Sequence, residues 1–309
     1  MEVFSIMDMG RGIILFSLLF FIPLLVGVGI AMTPKRPFIS RLLGLLFYAV
    51  PVPVFAIWFF YHGFGSLKVG KGMVEMRYLW PRPMARVDAA LLGEIIHDYR
   101  SKVRRWGGYK IHWLKVEVNG SNHVSMSDDS RLIERMQFRL MEEKYRRFLE
   151  ILEKSYGLEH PDVAEAMELL GMVFADQKRH AEAETLYQKA FSIKENAFGP
   201  DDPKIFPLAL KLAVFYRNRE DYDKAEIFLQ RALDVLQKHS NFEIGKADHS
   251  ELMEYCESLH SFIKRRGGKD LNPTPATALT PTADTEMKTQ QAEAERQLAQ
   301  RVKKLLEKK

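Results

Sequence analysis

The sequence predicts a mainly α-helical chain in three successive parts: an N-terminal hairpin of two transmembrane helices, a small β-rich module, and an α-solenoid of paired helices. Three observations predict it. Two long uncharged runs open the chain, an Asn-Gly pair sits between two alternating runs, and a 42-residue period marks the second half. A fixed period of that size means stacked supersecondary units, and stacked units build extended binding surfaces rather than catalytic pockets.

The hairpin is assigned to residues 1–64. From Gly12 to Pro34 no side chain is charged over 23 residues, and from Leu42 to Leu67 none is but the titratable His62. Either run, as a helix, is long enough to cross a hydrocarbon core of about 30 Å. The competing reading is a pair of buried core helices. A cleaved signal fits poorly, because Glu2 and Asp8 outweigh Arg11, the apolar core is too long, and no small-x-small site follows. Pro51 and Pro53 should kink the second helix, which packing against the first can accommodate.

Orientation is nearly tied under the positive-inside rule. Lys35, Arg36 and Arg41 lie between the runs, against Arg11, Lys68, Lys71 and Arg77 on the flanks. A dominant first helix would put the connecting loop in the cytoplasm, whereas the hairpin taken whole would put both ends there. Charge tips the balance. From His62 to Val118 eleven Lys and Arg stand against five Asp and Glu, while from Arg131 to Arg266 the balance is 22 against 25. Basic residues beside a cytoplasmic leaflet gain about 1 kcal/mol each from anionic lipid. The expectation is an integral protein of the inner or plasma membrane, its remaining parts in the cytoplasm. Arg100, Lys102, Arg104 and Arg105, next to Trp106, form the candidate lipid surface; a charge-protected strand edge explains them equally well. Nucleic acid is not expected as a partner, since the basic stretch is short and the array behind it acidic.

Residues 65–130 are assigned to the basic β-rich module. Asn119-Gly120 lies between Lys115–Val118 and Ser121–Met126, a two-residue hairpin signal. Leu114, Val116 and Val118 share one face, which Val124 and Met126 are expected to continue on the return arm. Met73–Trp80 and Leu91–Tyr99 could supply further strands, although the stretch after Val87 could equally be helical. A small sheet behind a two-helix anchor, closed by a helix beginning near Arg131, resembles bacterial pleckstrin-homology-like membrane modules. An unrelated β-sandwich of that size is the alternative.

Residues 131–268 are assigned to the solenoid. Gly157–Ala164 and Gly199–Phe206 recur 42 residues apart, and Leu170, Phe174, Ala183, Glu184, Tyr187 and Ala190 match Leu212, Tyr216, Ala225, Glu226, Leu229 and Ala232. Met141, Glu142, Tyr145 and Phe148 continue the register backwards, so one helix from Arg131 to Tyr156 should both close the β module and open the array. Leu259, Phe262 and Ile263 mark one more first helix, displaced by about five residues. Small residues at Gly171, Ala183 and Ala190 permit close helix approach, with Phe174 and Tyr187 filling the space between. Gly157 and Gly199 suit left-handed helix ends, and His160, aligned with Asp202, reads as a helix cap rather than a metal ligand.

This pattern resembles tetratricopeptide repeats of the 42-residue kinesin-light-chain kind. The resemblance covers about Arg139 to Gly268 and implies a protein partner, a peptide or a helix, on the face lined by first helices. Carried over by position, that face shows Glu165, Glu168, Met172 and Asp176, then Leu210, Val214, Arg217 and Asn218. The Asn pair common in the middle of such first helices is replaced by Met167-Glu168 and Ala209-Leu210, which weakens the case for backbone clamping of a peptide.

Beyond the repeats, residues 269–283 form a Pro/Thr-rich linker and 284–309 an amphipathic helix carrying Leu298, Val302, Leu305 and Leu306. That helix is expected to cap the open end of the array. One cysteine, Cys256, excludes a disulfide or a thiolate cluster within the chain. No His spacing suits a metal, and neither glycine-rich stretch near residue 70 opens a helix with phosphate-loop spacing. No enzyme, cofactor, metal or small-molecule substrate is expected. The expected function is a membrane-anchored adaptor, with two alternatives: a sensor of anionic lipid whose repeats are a spacer, and an accessory subunit of an envelope enzyme or transport complex.

Overall fold

The structure is a computed structural model, and it describes residues 2–5, 64–78, 84–104, 107–127, 129–241, 249–267 and 281–307. Most of the expected hairpin, and most of the linker at 269–283, lie outside the described residues. Among the described residues no helix is long and apolar enough to cross a membrane. The chain divides into two units, Met1–Lys144 and Tyr145–Lys309.

Among its described residues the first unit holds two antiparallel sheets. One contains β1 (Glu2–Ser5), β2 (Phe64–Gly70), β3 (Met73–Tyr78) and β4 (Ala85–Asp88); the other contains β5 (Leu92–Arg104), β6 (Gly107–Val118) and β7 (Ser121–Ser127). The strand β1 departs from expectation. Residues assigned to the hairpin instead pair with β2, from Glu2↔Val69 to Ser5↔Ser66, and bury Phe4. Phe64 to Leu67, the end of the second apolar run, are also strand. Positive-φ turns close hairpins at Asn119-Gly120, as expected, and at Lys71-Gly72. The ambiguous stretch after Val87 resolves into a single 3-10 turn, Ala89–Leu91, capped by the Asp88 carboxylate, and then into β5.

Leu114, Val116 and Val118 are all buried, but the return arm differs from expectation. With a two-residue turn, Val118 faces Ser121, Val116 faces His123 and Leu114 faces Ser125. Directly opposed residues share a face, so His123 and Ser125 complete the buried side. Val124 lies opposite Lys115 instead. His123 is satisfied there by Tyr78, 2.8 Å from ring nitrogen to hydroxyl. The core gathers Leu67, Val69, Val74 and Met76 from one sheet and the β6 trio from the other.

Helix α1 (Ser130–Tyr156) begins at Asp129, whose carboxylate accepts from the Arg131 and Leu132 amides. Ile133, Met136 and Leu140 complete the first unit's core. Buried Lys144 ends its stem at the Gly93 carbonyl, 2.8 Å away.

From Tyr145 onward α1 belongs to the second unit, with Tyr145, Phe148, Ile151 and Leu152 buried. Two antiparallel pairs follow, α2 (Pro161–Asp176) with α3 (His180–Phe198) and α4 (Phe206–Asn218) with α5 (Tyr222–Lys238). Next come α6 (His249–Gly267), packed on α5, and α7 (Pro281–Glu307). His160 caps α2 by accepting from the Asp162 amide at 3.1 Å, and Asp202 accepts from Lys204 at 2.8 Å. Gly157 and Gly199 sit at φ of 86° and 92°. The tight turns within each pair repeat as well. Lys178 and Glu220, 42 residues apart, both take φ of 61°.

Candidate functional site

The first-helix face is built from α2 and α4, and the repeat chemistry explains which of its residues remain available. Gly171 lies against the Tyr187 ring so closely that a Cβ there would meet Cε1 at 2.9 Å. That contact locks α2 onto α3, and Phe215 packs edge-on against Tyr187 from α4. The face is therefore carried on a close-packed frame.

Glu168 is not a free groove residue. It is buried, and Lys194 of α3 and Lys211 of α4 donate to its two oxygens at 2.7 and 2.6 Å. Burial alone would raise its pKa, but the two ammonium groups win and hold it at about 2. Glu168 thus ties three helices together. Leu210 is likewise core, at 1% exposure.

The other candidates reach the face. Glu165 is half-buried, and burial pushes its carboxyl up to about 7 against the pull of Lys194 and Arg301. Met172 and Val214 are half-buried and Asp176 is exposed. Arg217 donates to the Asn218 side-chain oxygen at 2.9 Å, so these two partner each other.

A second network went unread in the sequence. Glu184 of α3 accepts from Arg219 at 2.6 Å, Lys224 at 2.9 Å and the Tyr216 hydroxyl at 3.0 Å. Desolvation pushes its carboxyl upward, but these hydrogen bonds prevail and hold it at about 2. Its partners come from the next unit, so no spacing within one unit betrays them.

The first-helix face is already occupied by the chain's own α7, which was expected to cap the open end of the array. Arg301 forms an ion pair with Asp162, the Gln291 side chain reaches Met172, and Lys211 donates to the Gln291 oxygen at 3.3 Å. Glu295 bonds the hydroxyl of Tyr145. Leu298 and Val302 are wholly buried.

The lipid-surface candidates lie in the first unit. Arg100, Lys102 and Arg104 occupy alternate positions of β5, paired with Ile111, Tyr109 and Gly107. Arg105 lies outside the described residues. Because the β7 pairing stops at His112, the ribbon beyond it pairs only with itself among the described residues. Among those residues, too, no group of three or more His, Cys, Asp or Glu side chains could hold a metal ion. Cys256 is buried, its thiol pushed up to about 12 by burial.

Among the comparisons with known proteins, a family model bears on the repeats. A family model, the tetratricopeptide repeat, matches residues 132–196 and 168–238. No curated protein matches the chain. Among solved structures, the crystal structure of BtubC (BKLC) from P. vanneervenii is similar at 20% identity, over 48% of this chain and 68% of that one, with a TM-score of 0.32. Residues 132–238 therefore carry tetratricopeptide repeats, a kind that generally mediates protein–protein interaction.

Proposed function

We propose that this protein is a membrane-anchored adaptor that holds a protein partner, peptide or helix, on the first-helix face of its repeats. The observation that carries the reading is the repeat itself: paired helices in register over two 42-residue units, with Glu165, Met172, Asp176 and Val214 on their first helices and outside the core. The anchor rests on the two uncharged runs between Arg11 and Lys68, and the soluble parts would work at the cytoplasmic side of an inner or plasma membrane.

The test is site-specific photo-crosslinking in cells. A crosslinking residue at Val214 is expected to trap a discrete protein that one at exposed Ile227, on α5, does not. Identical products at both positions, or none at Val214, would sink the adaptor reading.

One observation favours a second reading, the sensing of anionic lipid. Three cations at alternate positions of a self-paired ribbon suit a lipid surface, and two antiparallel sheets with a closing helix support the pleckstrin-homology-like resemblance. In nanodiscs, a fluorophore at Lys110→Cys should report quencher-labelled anionic lipid. Arg100→Glu with Arg104→Glu should weaken that signal, by about fivefold in lipid affinity per charge removed. An unchanged signal would leave the ribbon without a role at the membrane.

A further inference from the structure

We propose that the first-helix face is built for an amphipathic helix that runs antiparallel to α2 and sets an arginine against Asp162, that α7 is its resident occupant, and that a partner helix of this chemistry must displace α7 to bind. This rests on the adaptor reading and adds to it the partner's chemistry and a competitor.

The direction follows from the contacts. Arg301 meets Asp162 and Gln291 meets Met172, so ten residues of α7 run opposite to ten of α2. At 1.5 Å per residue they share about 15 Å of axis. Charge points to the occupant's chemistry. Along the stretch that lies on α2, from Gln291 to Arg301, α7 carries Glu293 and Glu295 against Arg296 and Arg301, and the cation that meets the face is Arg301. Opposite Arg301 stand Asp162 and Glu165, whereas Glu168 is already committed to Lys194 and Lys211.

The contact is thin enough to open. Between Lys288 and Glu307 only Leu298 and Val302 are wholly buried, and Arg301 keeps nearly half its side chain in solvent. By contrast α3, a permanent member of the array, buries Ala183, Tyr187, Ala190, Phe191 and Ile193. A tethered helix holds its site through high effective concentration rather than large area.

The experiment measures a labelled peptide of residues 281–309 binding to the full chain in detergent. Leu298→Asp with Val302→Asp in the chain should release α7, and the peptide should then bind at least about tenfold more tightly than to the unaltered chain. A peptide with Arg301→Glu should lose that binding, and Asp162→Arg in the chain should restore it. Arg301→Glu alone in the chain gives a milder release should the double variant unfold, as circular dichroism would show.

Equal, weak binding to released and unaltered chains would overturn the proposal. Tight binding to both, with the chain self-associating, would mean that α7 is exchanged between copies, and would overturn it too. Either result leaves the Val214 crosslinking outcome untouched, so this idea can fail while the adaptor reading stands.

Discussion

The two copies of the repeat solve one packing problem in two ways. Gly171 faces the Tyr187 ring in the first unit, and the matching positions in the second are Ala213 and Leu229. A methyl added at Gly171 must push an aromatic ring already at contact. Gly171→Ala is expected to cost about 1–3 kcal/mol. Adding Tyr187→Leu, which reproduces the second unit's pair, should recover much of that loss in a urea-denaturation double-mutant cycle. Strict additivity would show that the ring is not what the glycine serves.

Two carboxylates a single turn apart should respond to pH in opposite directions. The folded-state pKa of Glu168 lies below its ordinary value, so its contribution is present above about pH 4.5 and fades as pH falls towards 2. Glu165 is raised to about 7, so the folded chain is favoured while Glu165 is protonated and loses stability as pH climbs from 4.5 towards 7. Glu165→Gln should therefore raise the melting temperature at pH 8 and leave it unchanged at pH 4.5. An equal effect at both would mean that ionisation is not the cause.

At the scale of elements, the turns inside each helix pair carry a matching strain. Lys178 and Glu220 occupy the left-handed region, where a Cβ is crowded. Lys178→Gly and Glu220→Gly should each stabilise by on the order of 0.5–1 kcal/mol and add, being 42 residues apart. A loss of stability at either would mean that the side chain outweighs its backbone cost.

Elements governed by local rules were readable from the chain. The Asn119-Gly120 hairpin, the His160 and Asp202 caps and the positive-φ glycines all depend on residues within a few positions of one another. The features that stayed hidden depend on distant pairings. Four residues at β1 hold no period of their own and become a strand only because β2 pairs with them. Where α7 docks is decided by a face match between Asp162 and Arg301, far apart in the chain. Glu168 looked like a groove residue because the ammonium groups that claim it arrive from two other helices. Only the parity of the β6–β7 register misled through a local rule, since counting across the turn places His123 rather than Val124 inside.

For the molecule as a whole, surface chemistry divides by function. The β module and its surroundings carry the positive excess, and the repeats a small negative one. Partner recognition on the repeats should thus favour basic ligands and weaken with salt, over a screening length of about 8 Å at physiological ionic strength. Cys256, buried with a raised thiol, should stay silent to maleimide in the folded chain, leaving single introduced cysteines readable without replacing it.

The pairing of β1 with β2 constrains everything between them. Ser5 and Ser66 stand opposite each other in one sheet, so the chain that departs after Ser5 must come home to the place it left. If the apolar stretch between traverses a bilayer, it does so an even number of times, and the sheet is a clasp that can close only when outbound and returning passages are both complete. Arg11 then counts with Lys68, Lys71 and Arg77 on one side, opposed by Lys35, Arg36 and Arg41. In that case cysteines placed singly at Glu2 and at Gln237, both exposed, should react with an impermeant maleimide from the same side of the bilayer. Reaction from opposite sides would mean that the clasp never closes in the membrane-bound protein.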